Sequence, residues 1–334
     1  KTKNMTDTNL LLAITMIVFF AMYIGAMIFE GKGFLKAQTF LNMLNANAAL
    51  IIASCGMSIV MITGSIDISV GGVAALVSMC CAVYLDYHGG NVVTAIFISL
   101  GIGLLFGLVQ GYLVAYLDIQ PFIVSLAGMF FARGMTTIVN TEPFNVQNEA
   151  FVKLKETRVI VPGLGSVNKL GKYVNAYVEI GVVVALILVI VLFCMLRWSK
   201  SGRNFYAVGG NQQSALMLGI NVKKTKFMAH LLCSLLAGIG GFVYFMHVGS
   251  GSASHATGME MNAIASSIIG GTMLTGGVGN IIGTLFGVLS LSTIQNIVSS
   301  AGLDQAWWTG ITIAAMLCLF LVIQSVVMSR KKKA

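Results

Sequence analysis

Charged residues are scarce in this chain: Asp, Glu, Lys and Arg make up 9% of 334 residues, and only 3 residues are proline. An ordinary soluble domain is about a quarter charged. Hydrophobic residues reach 57%, and the mean hydropathy is +0.89. This composition excludes an ordinary soluble domain and indicates a polytopic membrane protein.

Motifs of common enzymes are also missing. The chain has no P-loop that ends in Gly-Lys followed by Ser or Thr, no H-E-x-x-H and no G-x-S-x-G. The six cysteines lie in apolar runs without the spacing of metal ligands, so we interpret them as packing residues. The sequence therefore predicts no enzyme, no ATP hydrolysis by this chain and no bound metal or cofactor.

The positive charge is unevenly distributed. The net charge is +9, but twelve of the 20 Lys and Arg residues lie at the two termini and in residues 197–226. This clustering is typical of the positive-inside rule, by which cytoplasmic loops of membrane proteins are basic. It indicates membrane topology, and we predict no nucleic-acid partner.

Apolar windows predict an all-α protein with about ten transmembrane helices in a single domain, residues 1–334. A span needs about 20 mostly apolar residues. The windows lie near residues 10–29, 42–63, 66–86, 92–116, 122–140, 177–197, 227–247, 261–275, 281–300 and 307–328. The eighth window is short and the second and third nearly touch, so both places are candidates for a broken or re-entrant helix.

The basic clusters orient these spans. If the amino terminus is cytoplasmic, an even number of spans places both termini and residues 197–226 in the cytoplasm, in agreement with the positive-inside rule. Residues 141–176 are then external. Proline and glycine in that segment disfavour a long helix. An external loop of this size is suited to cap a translocation path or to contact a soluble partner.

Two series of glycines recur at intervals of four residues. Because a four-residue spacing places side chains on one helix face, each series predicts close contact with another helix. The residues are Gly103, Gly107 and Gly111 in the fourth window, and Gly279, Gly283 and Gly287 in the ninth. Neither series fits the G-x-G-x-x-G spacing of a nucleotide-binding turn.

Polar residues inside the spans are candidates for the translocation path, because burial in hydrocarbon is costly. Asp67 and Ser69 lie in a stretch rich in glycine and hydroxyl side chains, where a helix can break. Asp67 either caps the third helix or lines a path, and the two roles are compatible. Gln110, Gln295 and Asn296 bind either a solute or a neighbouring helix. Arg133 is predicted to reach the membrane interface.

Residues 197–226 form the most distinctive segment, with six Lys or Arg residues, no Asp or Glu, and repeated glycines between two apolar spans. We interpret it as a docking loop for a cytoplasmic partner.

Three blocks resemble the permease subunits of bacterial ribose/galactose/xylose-type ABC sugar importers. They are residues 64–71, residues 201–222, and residues 259–265 with 270–279. Ser65 and Asn262 depart from the family pattern, which has glycine and aspartate there. Residues 126–134 are most similar to permeases for furanose sugars.

The resemblance implies import of a pentose, hexose or furanose sugar across the cytoplasmic membrane by alternating access. It also implies two ATPase subunits that hold ATP and magnesium, an extracytoplasmic sugar-binding protein, and a second permease that is either identical or related. The coupling element to the ATPase would include a short helix near residues 212–218. Its candidate residues are Gly202, Arg203, Gly209, Gly210, Asn211, Ala215, Leu218 and Gly219. Asp67 and Ser69 are the candidate gate or hinge.

An ATP-independent secondary transporter or channel is the alternative. It would need a relay of ionisable groups within the membrane, and the sequence offers only Asp67 and Glu179.

Overall fold

A computed structural model describes residues 2–30, 34–167, 173–302 and 306–332. Lys1 and Lys333, two of the basic residues behind the predicted orientation, lie outside these ranges. The helices are α1 (Thr2–Glu30), α2 (Ala37–Ile62), α3 (Val70–Tyr87), α4 (Val92–Ala115), α5 (Pro121–Val139), α6 (Glu149–Glu156), α7 (Ile180–Trp198), α8 (Lys200–Gly210), α9 (Gln212–Met217), α10 (Val222–Val248), α11 (Met259–Ile269), α12 (Ile281–Ser300) and α13 (Ala306–Lys332). The strands are β1 (Phe144–Asn145), β2 (Arg158–Val167), β3 (Tyr173–Glu179) and β4 (Ser250–Gly251).

Nine helices of the described ranges are long and apolar enough to cross a membrane: α1 to α5, α7, α10, α12 and α13. The predicted all-α membrane fold is thus confirmed, but the eighth window is not a full helix. Within it, α11 has 11 residues, so it is only about 16 Å long. It ends because Gly271, Gly276 and Gly277 adopt positive φ angles, which disrupt a right-handed helix.

A second break separates α2 from α3. Residues 63–69 are not helical, and Gly64 has a φ of 79°. The sequence marked two places as candidates for a broken helix, and the structure has a break at each of them.

The most enclosed helix is α2, which lies at the centre of the helix bundle. Of its most apolar 18-residue window, 83% is buried, whereas the corresponding fraction is 22% in α5 and 11% in α13. Helix α10 packs against α2, α3 and α4, and α12 packs against α1, α2 and α11. Apolar side chains on α4, α5 and α7 remain exposed, as expected for helices that contact lipid.

The segment between α5 and α7 contains structure that the sequence did not predict. Strands β2 and β3 form an antiparallel hairpin in which Arg158 pairs with Glu179, and β1 pairs with β4. Phe151 of α6 stacks on Phe245 of α10, with the ring centroids 4.3 Å apart. The described part of this segment, residues 141–167 and 173–176, is therefore docked on the helices, and the described residues are all-α except for these two small sheets.

The first glycine series lies where α4 meets α10. A Cβ atom on Gly103 would lie 2.7 Å from the carbonyl oxygen of Ser234, and one on Gly107 would lie 2.9 Å from the Cα atom of Leu231. Gly111 faces Phe227 in the same way. The absence of side chains thus permits close approach of the two helix backbones.

Because no side chain fits there, we expect Gly103→Ala to destabilise the protein. Overpacking costs about 1–3 kcal/mol. Gly101→Ala is the matched control, because nothing lies within 4 Å of a Cβ atom at that position of the same helix. Thermal unfolding in detergent should show a lower midpoint for Gly103→Ala alone. Equal midpoints for the two variants would contradict the packing role.

The second glycine series needs one correction. Helix α12 begins at Ile281, so Gly279 precedes the helix and does not share a helix face with Gly283 and Gly287. The latter two pack against the end of α11, where a Cβ atom would overlap the carbonyl oxygens of Gly270 and Ser266 respectively. Gly279 instead contacts Ile62 and Thr272. Its position follows from Asn280, whose side chain caps α12 by accepting a hydrogen bond from the backbone N–H of Ile282 at 2.9 Å.

Candidate functional site

Helix α8 is joined tightly to the end of α7. The hydroxyl of Ser199 caps α8 by accepting a hydrogen bond from the backbone N–H of Gly202 at 3.0 Å. Gly202 packs so closely on the backbone of Leu196 that a Cβ atom would lie 2.3 Å from its carbonyl oxygen. Arg203 donates to the carbonyl oxygen of Trp198 at 3.0 Å. These contacts fix the direction of α8 relative to the membrane-spanning α7.

The other end of α8 contacts both helix breaks. A Cβ atom on Gly209 would overlap the carbonyl oxygen of Ile62, at the end of α2, and would lie 2.6 Å from the backbone nitrogen of Gly277, in the loop after α11. Gly277 itself donates to the Ile62 carbonyl at 2.8 Å. Three backbone segments therefore meet at Gly209. The neighbouring Gly210 has nothing within 4 Å of its Cβ position.

Tyr206 is a contact that the sequence analysis missed. Its hydroxyl donates to the carbonyl oxygen of Gly279 at 2.8 Å, which ties α8 to the loop before α12. Burial raises the pKa of Tyr206 to about 12, so the hydroxyl stays protonated and keeps its donor role. The available signal was an aromatic residue one helical turn before Gly209 and Gly210 in an otherwise polar segment.

Helix α9 ends in an exposed apolar surface. Asn211 caps the helix by accepting from the N–H of Ser214 at 2.9 Å, and Gly219 ends the turn with a φ of 75°. Ala215 faces inward and is buried. The next three side chains, which we call the apolar tip, are exposed by 64%, 88% and 79%: Leu216, Met217 and Leu218. The predicted helix at 212–218 is thus present as Gln212–Met217.

Three of the predicted path residues lie together in a buried polar cluster at the break between α2 and α3. The Asp67 carboxylate accepts from the backbone N–H of Ser69 at 3.0 Å and from its hydroxyl at 2.6 Å. The Gln110 amide donates to the Ser69 hydroxyl at 2.9 Å. Ser234 of α10 donates to the second Asp67 oxygen at 3.5 Å. Asp67 is fully buried, so its interactions hold the start of α3 between α4 and α10.

The contacts of Asp67 are similar to those of the predicted cap of α3, but Asp67 is not the residue directly before the helix. Asp67 accepts a backbone N–H two residues ahead, as a capping carboxylate does, yet the residue that precedes α3 is Ser69. Gln295 and Asn296 lie elsewhere, near the carboxyl end of α12. Within the residues that the structure describes, no hydrogen bond connects them to the Asp67 cluster. Glu179, the other ionisable residue named for the alternative hypothesis, lies apart from this cluster and pairs with His247 at 2.7 Å on an accessible surface.

Arg133 has a role different from the one predicted. Its guanidinium donates to the carbonyl oxygens of His255 and Ala256, between α10 and α11. Two adjacent carbonyls outside regular helix or sheet provide a fixed pair of acceptors for the forked guanidinium. Across the described ranges, no group of three His, Cys, Asp or Glu residues is placed to hold a metal ion.

Together, these features define a class: a polytopic membrane permease with broken helices and an exposed helix beside a basic loop. The chain belongs to the family described as branched-chain amino acid transport system / permease component, whose model matches residues 39–321. The resemblance to sugar importer permeases inferred from the three blocks is confirmed by its relatives. A permease is the transport component of such a system and not a catalytic enzyme.

Three relatives illustrate the similarity. The inner membrane ABC transporter permease protein YjfF of Escherichia coli K12 is 35% identical over 96% of this chain and 93% of its own length. The fructose import permease protein FruG of Bifidobacterium longum is 34% identical over 85% and 81%. The ribose import permease protein RbsC of E. coli K12 is 32% identical over 81% of both chains. No solved structure matches the chain significantly.

Proposed function

We propose that this chain is the membrane permease of an ABC importer that carries a monosaccharide into a bacterial cell. The observation that carries the proposal is the similarity along most of the chain to permeases that import fructose and ribose. The solute would cross by alternating access, driven by ATP and magnesium on partner ATPase subunits, while this chain binds no cofactor. ATP drives such a change only by binding two conformations with different affinity.

The apolar tip of α9 is the proposed docking surface for the ATPase. Adjacent large apolar side chains exposed by 64–88% in a short capped helix are suited to insert into a groove of a partner. Lys223 and Lys224 follow in the first turn of α10 and add positive charge at the edge of this surface. Helix α8 then connects the surface to both helix breaks through Gly209 and Tyr206.

The positions of the breaks support the proposed orientation. Along the chain, α7 is the one membrane-spanning helix between strand β1 and helix α8. The small sheet of β1 and β4 and helix α8 would therefore lie on opposite sides of the membrane. Residues 251–279 begin at β4 and end against α8, and therefore cross the protein without forming a long helix. We count this crossing as a tenth span beside the nine long helices of the described residues, so both termini would lie on the side of residues 197–226. Given its basic charge, this side is the cytoplasm.

The remaining partners follow from this arrangement. The proposed contact for a soluble sugar-binding protein is the external segment that packs on the helices, residues 141–167 and 173–176. A second permease, identical or related, would complete the path and the pair of ATPase sites. Mass spectrometry of the purified complex would distinguish a homodimer from a heterodimer.

The test of the proposal uses the apolar tip. We expect Leu216→Ser combined with Leu218→Ser to reduce copurified ATPase about tenfold in mild detergent, because truncating buried interface anchors costs ~1–2 kcal/mol or more. Sugar uptake should fall in parallel. The matched control is Ile190→Ser, an exposed apolar residue in the middle of α7, which should retain the ATPase. Unchanged copurification with the double variant would refute docking through α9.

A branched-chain amino acid is the second candidate substrate, because the family description names that class. Uptake of labelled fructose, ribose, xylose and leucine, each measured separately and the sugars also with excess unlabelled leucine, separates the two. We expect one of the sugars to accumulate and leucine to have no effect. Accumulation of leucine in place of every sugar would reverse the assignment.

A further inference from the structure

Residues 252–258, which we call the descending segment, run deep alongside α3 without forming a helix. Just before the segment, a Cβ atom on Gly251 would lie 2.9 Å from the side chain of Ala82. Near its end, the Ala256 carbonyl oxygen lies 3.1 Å from the Cβ position of Gly71, in the first turn of α3. Eleven residues of helix separate these two contacts, which corresponds to about 16 Å. The segment therefore covers more than half of a membrane-spanning helix.

Contacts from two membrane helices hold this segment in place. Arg133 of α5 donates to the carbonyl oxygens of His255 and Ala256, and the Ser78 hydroxyl of α3 lies 3.2 Å from Nδ1 of His255. Ala256 has a φ of 52°, a conformation that residues other than glycine seldom adopt. Such backbone is retained where surrounding contacts determine it, often at functional sites. The path of the descending segment is thus determined by its contacts with α3 and α5.

One side of the descending segment is exposed. Ser254 and Thr257 are exposed, and so is Met261 in the first turn of α11, by 57%. Irregular backbone at membrane depth is tolerated only where it is enclosed by protein or borders water, because lipid cannot satisfy its polar groups. The Thr257 hydroxyl donates to the Ser254 carbonyl oxygen at 2.7 Å, and the Ser254 hydroxyl lies 3.0 Å from that of Ser252, so both remain available as acceptors. The exposed side of this irregular backbone is therefore expected to border water and not lipid.

We infer that the descending segment lines the aqueous translocation path, with the hydroxyls of Ser254 and Thr257 facing the solute. Hydroxyl side chains suit a neutral, hydroxyl-rich solute such as a sugar, which exchanges hydrogen bonds with water for similar bonds with the protein. Arg133 acts as a positioning residue that holds the segment by its carbonyls. The inference rests on the proposed function, since it deepens the description of the path.

Cysteine accessibility tests the inference. Ser254→Cys and Thr257→Cys are introduced singly into the full chain, in a background where the exposed Cys318 is serine. The complex in membranes is then treated with a charged, membrane-impermeant maleimide. Ile190→Cys is the control, because Ile190 is exposed in the middle of the apolar helix α7 and should face lipid. We expect S254C and T257C to react at least about tenfold faster than I190C, since thiolates form in water and not in hydrocarbon.

The functional consequence is measured in the same membranes. Labelling of either variant should remove most of the sugar uptake that the same variant shows before labelling. Reaction no faster than that of I190C would overturn the inference, and sugar uptake by the unmodified complex would leave the proposed function standing. Spontaneous disulfide formation between two copies at residue 254, in place of labelling, would overturn it as well, since the segment would then be a dimer interface. Rapid labelling in a complex that imports no sugar would refute the proposed function alone.

Discussion

Replacing Gly209 by alanine is expected to abolish most sugar uptake while the complex still assembles. The added methyl group would overlap the Ile62 carbonyl oxygen and lie 2.6 Å from the backbone nitrogen of Gly277. Both obstructing atoms belong to the backbone, so neither is relieved by a side-chain rotation. Helix α8 must then move away from the two breaks, which would disconnect the docking helix α9 from the membrane part.

The expected size of the effect follows from the cost of overpacking, which is about 1–3 kcal/mol. If that cost falls on the coupling between α8 and the breaks, the change corresponds to roughly 5–150-fold. Uptake of the transported sugar and ATPase activity of the reconstituted complex are the measurements. Uptake should fall while copurification of the ATPase persists, because the apolar tip is untouched.

Gly210→Ala is the control for Gly209→Ala. Gly210 is the next residue in the same helix and has nothing within 4 Å of its Cβ position. Its uptake should stay near that of the unmodified protein. Equal uptake by the two variants would contradict the view that α8 transmits movement through this contact. A loss of ATPase copurification specific to Gly209→Ala would instead indicate that the residue acts through docking.

The sequence predicted those parts of the fold that depend on local pattern. Long apolar runs predicted the nine spans of the described residues, and the family resemblance predicted α9 with a one-residue difference at its end. Glycine spacing placed Gly103 and Gly107 on one helix face without naming α10 as the partner. Caps and periodicity are properties of neighbouring residues, so they can be read before the chain is folded.

Features that depend on distant contacts were not predictable in the same way. The Tyr206 hydroxyl and the Gly279 carbonyl are 73 residues apart in the chain, and the Arg133 guanidinium meets carbonyls more than 120 residues away. Hydropathy marked residues 261–275 as a short window and a candidate for a broken helix, but it could not give the path of the irregular backbone enclosed by protein. The hairpin of β2 and β3 was missed because its glycines indicated a loop.

Asp67→Ala is expected to reduce uptake at least about tenfold, because it leaves the buried N–H and hydroxyl of Ser69 without their acceptor, at a cost of ~1–3 kcal/mol. The first turn of α3 would lose the contact that fixes it beside Gln110 and the break at residues 63–69. Sugar uptake and the thermal unfolding midpoint are the measurements. Undiminished uptake at normal membrane levels would remove Asp67 from the gate or hinge.

Asp67→Asn separates geometry from charge in this cluster. An amide oxygen can accept both bonds that the Asp67 Oδ1 atom accepts from Ser69, at 3.0 Å from its nitrogen and 2.6 Å from its hydroxyl. Because these bonds hold the start of α3, we expect the asparagine variant to retain uptake within about threefold of the unmodified protein, less than the ~1 kcal/mol typical of one lost hydrogen bond. If it is as inactive as Asp67→Ala and equally well folded, the negative charge itself is required for transport. The position would then be a charged element of the path and not a cap at a helix break.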